Sequence, residues 1–263
     1  MPIAPPFATP EPDTERAIQI APPSRAPWLA AFALVIAQAC AAQGQDVHLA
    51  RNEKATEQAI AAMLITDIYK RAGLNARIQP LPGARANAMA LIGDKDGEVA
   101  RVQTYASKNN SLIKVEPAYY YLTTTAFAKG NKGITIRTKD DLKKYRVGIV
   151  RGIAHAEAAT ESVATLQILG DYDQMYRMLD ADRIDVAVDT GVNGPHIVKR
   201  LGLTGIQAVG ELARLDLFNI LSPGKAALAP KIGATIKSLK ESGELTKLAK
   251  RYEEEFARSG TAP

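Results

Sequence analysis

From Val47 onward the apolar positions alternate between two periods, about two for short strands and about 3.6 for helices. Residues 47–50 read as a first strand. Across 55–72, Ala59, Ile60, Met63, Leu64, Ile68 and Ala72 recur at helical spacing, and Gly73 supplies the stop. A second strand at 76–80 leads through Pro82-Gly83 into a short helix over 84–92, which Gly93 ends, and a third strand covers 98–101. Strands alternating with helices of this length predict βαβ units and a largely parallel sheet.

Residues 112–116 and 119–128 read as extended, the latter because it is rich in Tyr and Thr, and Gly130 to Gly133 breaks the run. A second series starts at Asp140 with a short helix, a strand at 146–150 and a turn at Gly152. A strand at 166–169, a helix at 171–179, a strand at 184–189 and a helix at 194–201 follow. A strand at 215–221 and helices at 230–241 and 244–256, joined through Ser242-Gly243, close the chain. Breaks near 128 and 221 predict a discontinuous first lobe, 46–128 plus 222–258, a second lobe at 129–221 and a tail at 259–263.

One pattern occurs twice. Met89 and Met178 each end an apolar-striped helix, a polar turn follows, and an aspartate (Asp96, Asp185) stands seven residues after the methionine. Each copy then runs into a short strand ending on a charge, Arg101 in the first and Asp189 in the second. Ligands of open α/β sheets bind beyond the carboxyl ends of the strands. Two similar lobes would thus present a cation and an anion to one cleft. A chance echo of a common helix–turn–strand unit is the alternative.

The chain has 263 residues, 46% hydrophobic and 23% charged, ample for a proper core. Aromatics are few at 6%, which argues against a large stacking surface for nucleic acid or sugars. The net charge is +5, but acidic and basic residues interleave, as in the Lys139 to Arg151 stretch with its Asp140 and Asp141, so no phosphate-binding stripe stands out. His48, His155 and His196 lack nearby ligand partners, so neither a metal site nor a cofactor is expected.

The single cysteine, Cys40, lies in the one strongly apolar segment. Arg25 precedes the run at 28–37, and small residues follow it to Ala42. A basic flank, a short apolar core and an A-x-A site describe a secretory signal peptide at 26–42, too short to span a bilayer comfortably. Residues 1–25, rich in Pro and polar side chains, form a disordered or misassigned prefix. A buried core helix and a lipoprotein signal with Cys40 as the lipidated residue remain as other readings. The expected localisation is periplasmic.

With these residues in view the chain resembles the family 3 extracellular solute-binding proteins, two-lobed type II periplasmic binding proteins. Four segments carry the likeness: the helix from Ala59 to Gly73, Leu81-Pro-Gly-Ala-Arg85-Ala with Gly93-x-x-Asp96-Gly97, Val147-Gly-Ile-Val-Arg-Gly152, and the closing helix pair around Gly243-Glu-Leu-Thr-Lys-Leu. The resemblance implies an α/β fold in which each lobe is a mostly parallel sheet flanked by helices, with a hinge between the lobes. It also implies a small anionic or zwitterionic ligand, an inner-membrane transporter permease as partner, and a monomer with no enzymatic activity and no nucleic-acid role.

By the same resemblance Arg101 would hold the ligand's carboxylate, and a guanidinium suits this because its planar fork bonds both oxygens. Arg151, Gly152 and Ile153 would form the turn at a helix N-terminus where N–H groups favour an anion. Asp189 would pair with an ammonium. Read from the residues themselves, Arg85 at a helix start is a further candidate for the cleft. So are at most two of Tyr119, Tyr120 and Tyr121, with their apolar faces and hydroxyl tips, Tyr119 and Tyr120 being the pair expected. Both copies of the repeat depart from the family's spacing: Arg101 follows Asp96 by five residues and Asp189 follows Asp185 by four. Each residue also has a plainer reading. Arg101 would pair with Glu98 or Asp96, Asp189 would cap the next helix, Arg85 would face solvent, and alternate tyrosines of a strand would face the core.

Two other functions share the fold. One is a periplasmic dehydratase-like enzyme, for which Glu98, Glu116 and His155 are the acid–base candidates, although none sits in a recognisable catalytic phrase. The other is a sensory module that binds ligand and signals to a membrane partner.

Overall fold

The computed structural model describes Met1, residues 44–53 and residues 55–259. The prefix, the signal-peptide segment and Cys40 lie outside the described residues. Among the described residues no helix is long and apolar enough to cross a membrane.

The first strand, β1 (Gln45–Asn52), is followed by α1 (Thr56–Arg71), β2 (Leu74–Leu81), α2 (Gly83–Leu91) and β3 (Gly97–Val102). The apolar stripe read from the sequence buries Ala59, Ile60, Met63, Leu64 and Ile68 of α1. Glu57 in its first turn and Lys70 and Arg71 in its last complement the helix dipole. β1 pairs in parallel with β2 on one side and β3 on the other. A short helix, α3 (Gln103–Lys108), and a two-residue strand, β4 (Ile113–Lys114), lead to β5 (Tyr120–Lys129).

The second series comprises β6 (Val147–Val150), α4 (Ala154–Thr160), β7 (Leu166–Leu169), α5 (Tyr172–Asp180), β8 (Val186–Thr190) and α6 (Asn193–Arg200). β6 pairs in parallel with β7 and β8. The long β9 (Ile206–Leu221) then returns across the molecule to α7 (Ala229–Glu241) and α8 (Glu244–Ser259). The strand order is β2-β1-β3-β9-β5-β8-β6-β7, with β4 also on β9. The sheet is therefore mixed. It is parallel in its outer parts, while its antiparallel pairs are those made by β5 and β9.

The apolar core divides. One cluster joins Leu49, Ile60, Leu64, Tyr119, Tyr120, Leu217 and Ile236. Two others lie on the second series, around Val147, Ile149 and Val188 and around Phe127, Tyr176 and Leu179. The change of core falls inside β5, between Tyr120 and Ala126, and inside β9, between Leu212 and Leu217. The β5–β9 register also shifts there, between Thr124 and Thr125, and such bulges bend and twist a strand pair. These two strands join the halves of a two-lobed α/β fold.

The repeated aspartates take matching places in the two halves. The Asp96 N–H donates to the His48 carbonyl over 2.8 Å, and its Oδ2 accepts the His48 N–H, also at 2.8 Å. The Asp185 N–H donates to the Arg146 carbonyl over 2.8 Å, and its Oδ2 accepts the Arg146 N–H at 3.0 Å. Each carboxylate thus clamps the start of the strand it leads into against a neighbouring segment of backbone.

Among the elements that went unread in the sequence are α3 and the first half of β9. α3 is six residues long, too short to show a helical period. The first half of β9 is half-exposed and carries Gly210, which reads as a break. A Cβ at Gly210 would stand 1.8 Å from the Ile136 carbonyl oxygen. This glycine permits a close approach of two backbones rather than a turn.

Candidate functional site

The carboxyl ends of β1 and β6 face a cleft of about 590 Å³ between the halves. One wall carries Arg51, Glu53, Ala55, Thr56 and Ala59 from β1 and the start of α1. The other carries Val150, Arg151, Ile153, Asp171, Tyr172, Asn193 and His196. This is the position the strand-end rule assigns to ligands of open α/β sheets.

Of the residues singled out from sequence, Arg151 and Ile153 line this cleft. Gly152, between them, has φ +78°, a conformation that L side chains rarely adopt. Its N–H donates to Glu157 Oε1 at 2.8 Å, so Glu157 fastens the turn ahead of α4. The Arg151 side chain is exposed and has no carboxylate within ion-pair distance among the described residues.

Asp189 is fully buried at the end of β8. Its Oδ1 accepts the Thr190 N–H at 2.7 Å, and its Oδ2 accepts from Asn193 Nδ2 at 2.8 Å and from the Tyr176 hydroxyl at 3.2 Å. Burial pushes its pKa up to about 7 against these hydrogen bonds, and the charge of Glu57 adds to the rise. Glu57, in the first turn of α1, is itself buried, and burial raises its pKa although the Thr190 hydroxyl bonds to it. Two buried carboxyls, one from each half, therefore stand near one another behind the cleft wall. Thr56 and Asn193 complete this junction through a hydroxyl-to-amide bond of 2.7 Å.

The other sequence candidates lie outside the cleft lining. Arg101 forks onto the fully buried Glu98, 2.7 Å from Nε to Oε2, and its guanidinium sits 4.6 Å from the Tyr105 ring centre. Arg85 is exposed on the first turn of α2. The Tyr119 hydroxyl donates to the Val99 carbonyl at 2.8 Å, and the Tyr120 hydroxyl donates to Glu253 at 3.0 Å, both rings being buried. Among the acid–base candidates, Glu98 is held by Arg101 and Tyr105, Glu116 is exposed beside Lys114, and His155 packs against Thr124. Burial pushes the His155 pKa down to about 4. Among the described residues no group of three or more His, Cys, Asp or Glu could hold a metal.

Sequence reading missed Arg51, Thr56, Glu57, Tyr172 and Asn193. Arg51 had a usable signal, because it directly follows the strand read at 47–50, as Arg151 follows the one at 146–150. The junction residues carry no such mark, since only the fold brings 56–57 beside 190–193.

No family model matches the chain. An uncharacterized protein of Shewanella oneidensis is 25% identical over 202 residues, covering 74% of this chain and 75% of that one. Solved structures match at lower identity. An ancestral arginine-binding protein bound to arginine superposes with a TM-score of 0.62 at 17% identity, covering 80% of this chain and 99% of that one. The unliganded, open L-cystine solute receptor of Neisseria gonorrhoeae gives 0.63 at 15%, covering 80% and 93%. A histidine kinase sensor domain described as similar to periplasmic binding proteins gives 0.63 at 16%, covering 80% and 96%. The fold is that of the type II periplasmic binding proteins.

Proposed function

We propose that the chain is a periplasmic solute-binding protein of the family 3 kind, capturing a small carboxylate-bearing solute in the cleft between its halves and delivering it to a transporter permease. The observation that carries this reading is the cleft itself, set at the carboxyl ends of β1 and β6 with Arg51 on one wall and Arg151 on the other. Hinge bending around the β5–β9 bulge would open and close it, as in other periplasmic binding proteins. The domain division follows, with the lobes exchanging at these two strands, and the protein acting as an exported monomer without catalytic activity. The arginine-binding and cystine-receptor neighbours favour a ligand of amino-acid size.

A thermal-shift panel of amino acids, polyamines and organic acids tests the reading. A carboxylate that raises the melting temperature of the wild type and fails to do so in Arg151→Ala supports it. Steady consumption of that compound by the purified protein would turn the choice to an enzyme. The sensor-domain neighbour keeps a second reading in view, and co-purification with a membrane-bound kinase rather than a permease would favour it.

A further inference from the structure

Resting on the solute-binding reading, we propose that the ligand is an organic acid clamped between Arg51 and Arg151, and that Asp189 does not receive an ammonium group from it. The charges around the cleft divide by whether they are already engaged. Arg200 is bonded through both its Nη atoms to the Asp173 carboxylate, and desolvation with the neighbouring Arg200 and Lys199 charges keeps His196 biased to its neutral form. Asp171 caps α5, its Oδ1 accepting the Gln174 N–H at 2.8 Å. Among the described residues the half-buried Arg51 side chain donates only to the Asn52 carbonyl, at 3.2 Å, with the Glu53 charge acting on it from beyond ion-pair distance, and Arg151 makes no ion pair. These two guanidiniums, one on each wall, are the arginines of the cleft that make no ion pair among the described residues.

The anionic side is closed off. Both Asp189 oxygens are filled by donors from the protein, and the group has no exposed surface. An ammonium could reach it only by displacing Asn193, which also holds Thr56 across the junction. The two carboxylates that do line the cleft, Glu53 and Asp171, are both exposed, where water and salt weaken their pull on a cation, and Asp171 is also engaged in capping α5. An amine on the ligand would thus leave water for a poor substitute, while a carboxylate would gain a charge-assisted bond from each half.

The test is calorimetry on the whole protein with acids matched to their amino acids: glutarate with glutamate, 4-methylpentanoate with leucine, and 5-guanidinopentanoate with arginine. The pair nearest the best compound of the thermal-shift panel is followed through the variants. The amine-free member should bind at least as tightly as its amino acid, Arg51→Gln and Arg151→Gln should each weaken it roughly tenfold or more, and Asp189→Asn should leave it within about threefold. Arg51→Lys, which keeps the charge, controls for loss of fold and should bind between wild type and Arg51→Gln. Binding of the amino acid alone, or its loss in a folded Asp189→Asn protein, overturns the inference while leaving solute binding intact. If nothing in the panel or the pairs binds, solute binding itself has failed and this inference fails with it.

Discussion

The hydroxyl of Thr56, at the start of α1, donates to Oδ1 of Asn193, at the start of α6, over 2.7 Å. The two residues are 137 positions apart and belong to different halves of the molecule. Beside them the Thr190 hydroxyl bonds to Glu57 across the same junction. Asn193 also donates to Asp189, so one amide serves both halves.

Asn193→Ala should therefore leave a half-buried hydroxyl and a buried carboxyl each short of a partner. Removing one partner of a buried polar group costs about 1–3 kcal/mol, and urea unfolding of the variant should show a loss of that order. Small-angle scattering should also show a larger mean radius of gyration, because the junction that holds the halves together is weakened. An unchanged radius and midpoint would mean that the junction contributes little.

Asp189 gives stability a definite dependence on pH. Its folded pKa, about 7, lies above the unfolded value, so the folded state holds the extra proton between about pH 4 and 7 and stability falls as pH rises through that window. His155 acts in the opposite sense, because burial holds its pKa at about 4 and stability is lost as pH falls from about 6.5. The two slopes oppose each other in the wild type. Glu57, whose pKa burial also raises, adds to the falling slope. Denaturant unfolding of Asp189→Asn should remove the Asp189 share, so that its stability relative to wild type grows by about 1.4 kcal/mol per pH unit across the window. Parallel curves for the two proteins would show that Asp189 does not carry the proton.

Asp96 and Asp185 make equivalent main-chain clamps in separate halves, each accepting one backbone N–H. Asp96→Ala and Asp185→Ala should each cost on the order of 1 kcal/mol. The double variant should lose the sum, since distant sites with no shared partner add. A coupling well beyond the additive error would contradict the independence of the two clamps.

Gly152→Ala tests the turn ahead of α4. At φ +78° a Cβ is strained although open space surrounds it, so a loss of about 1 kcal/mol is expected from the backbone alone. Ligand affinity should fall further if the turn places Arg151, and calorimetry beside thermal unfolding separates the two effects.

Much of this architecture was legible in the chain. The apolar stripe of α1, the Tyr- and Thr-rich β5 and the repeated aspartates each announce an element through local pattern, and the aspartates also mark the duplicated strand geometry. What was not legible depends on long-range contact. Glu57 sits two residues into a helix and looks like an ordinary first-turn acid, yet the fold carries it against Thr190. Asp189 looks like a ligand-facing strand end, but Tyr176 and Asn193 close over it. Arg101 ends its strand as expected and turns to Glu98, a pairing that its i,i+3 spacing already allowed.

Whether the cleft between Arg51 and Arg151 holds a small carboxylate is decided most directly by mass spectrometry of molecules released on denaturing protein purified in native form. One carboxylate-bearing compound near one equivalent per chain is expected, lost from Arg151→Gln. No released compound in either protein, together with no binding in the thermal-shift panel, would contradict that expectation.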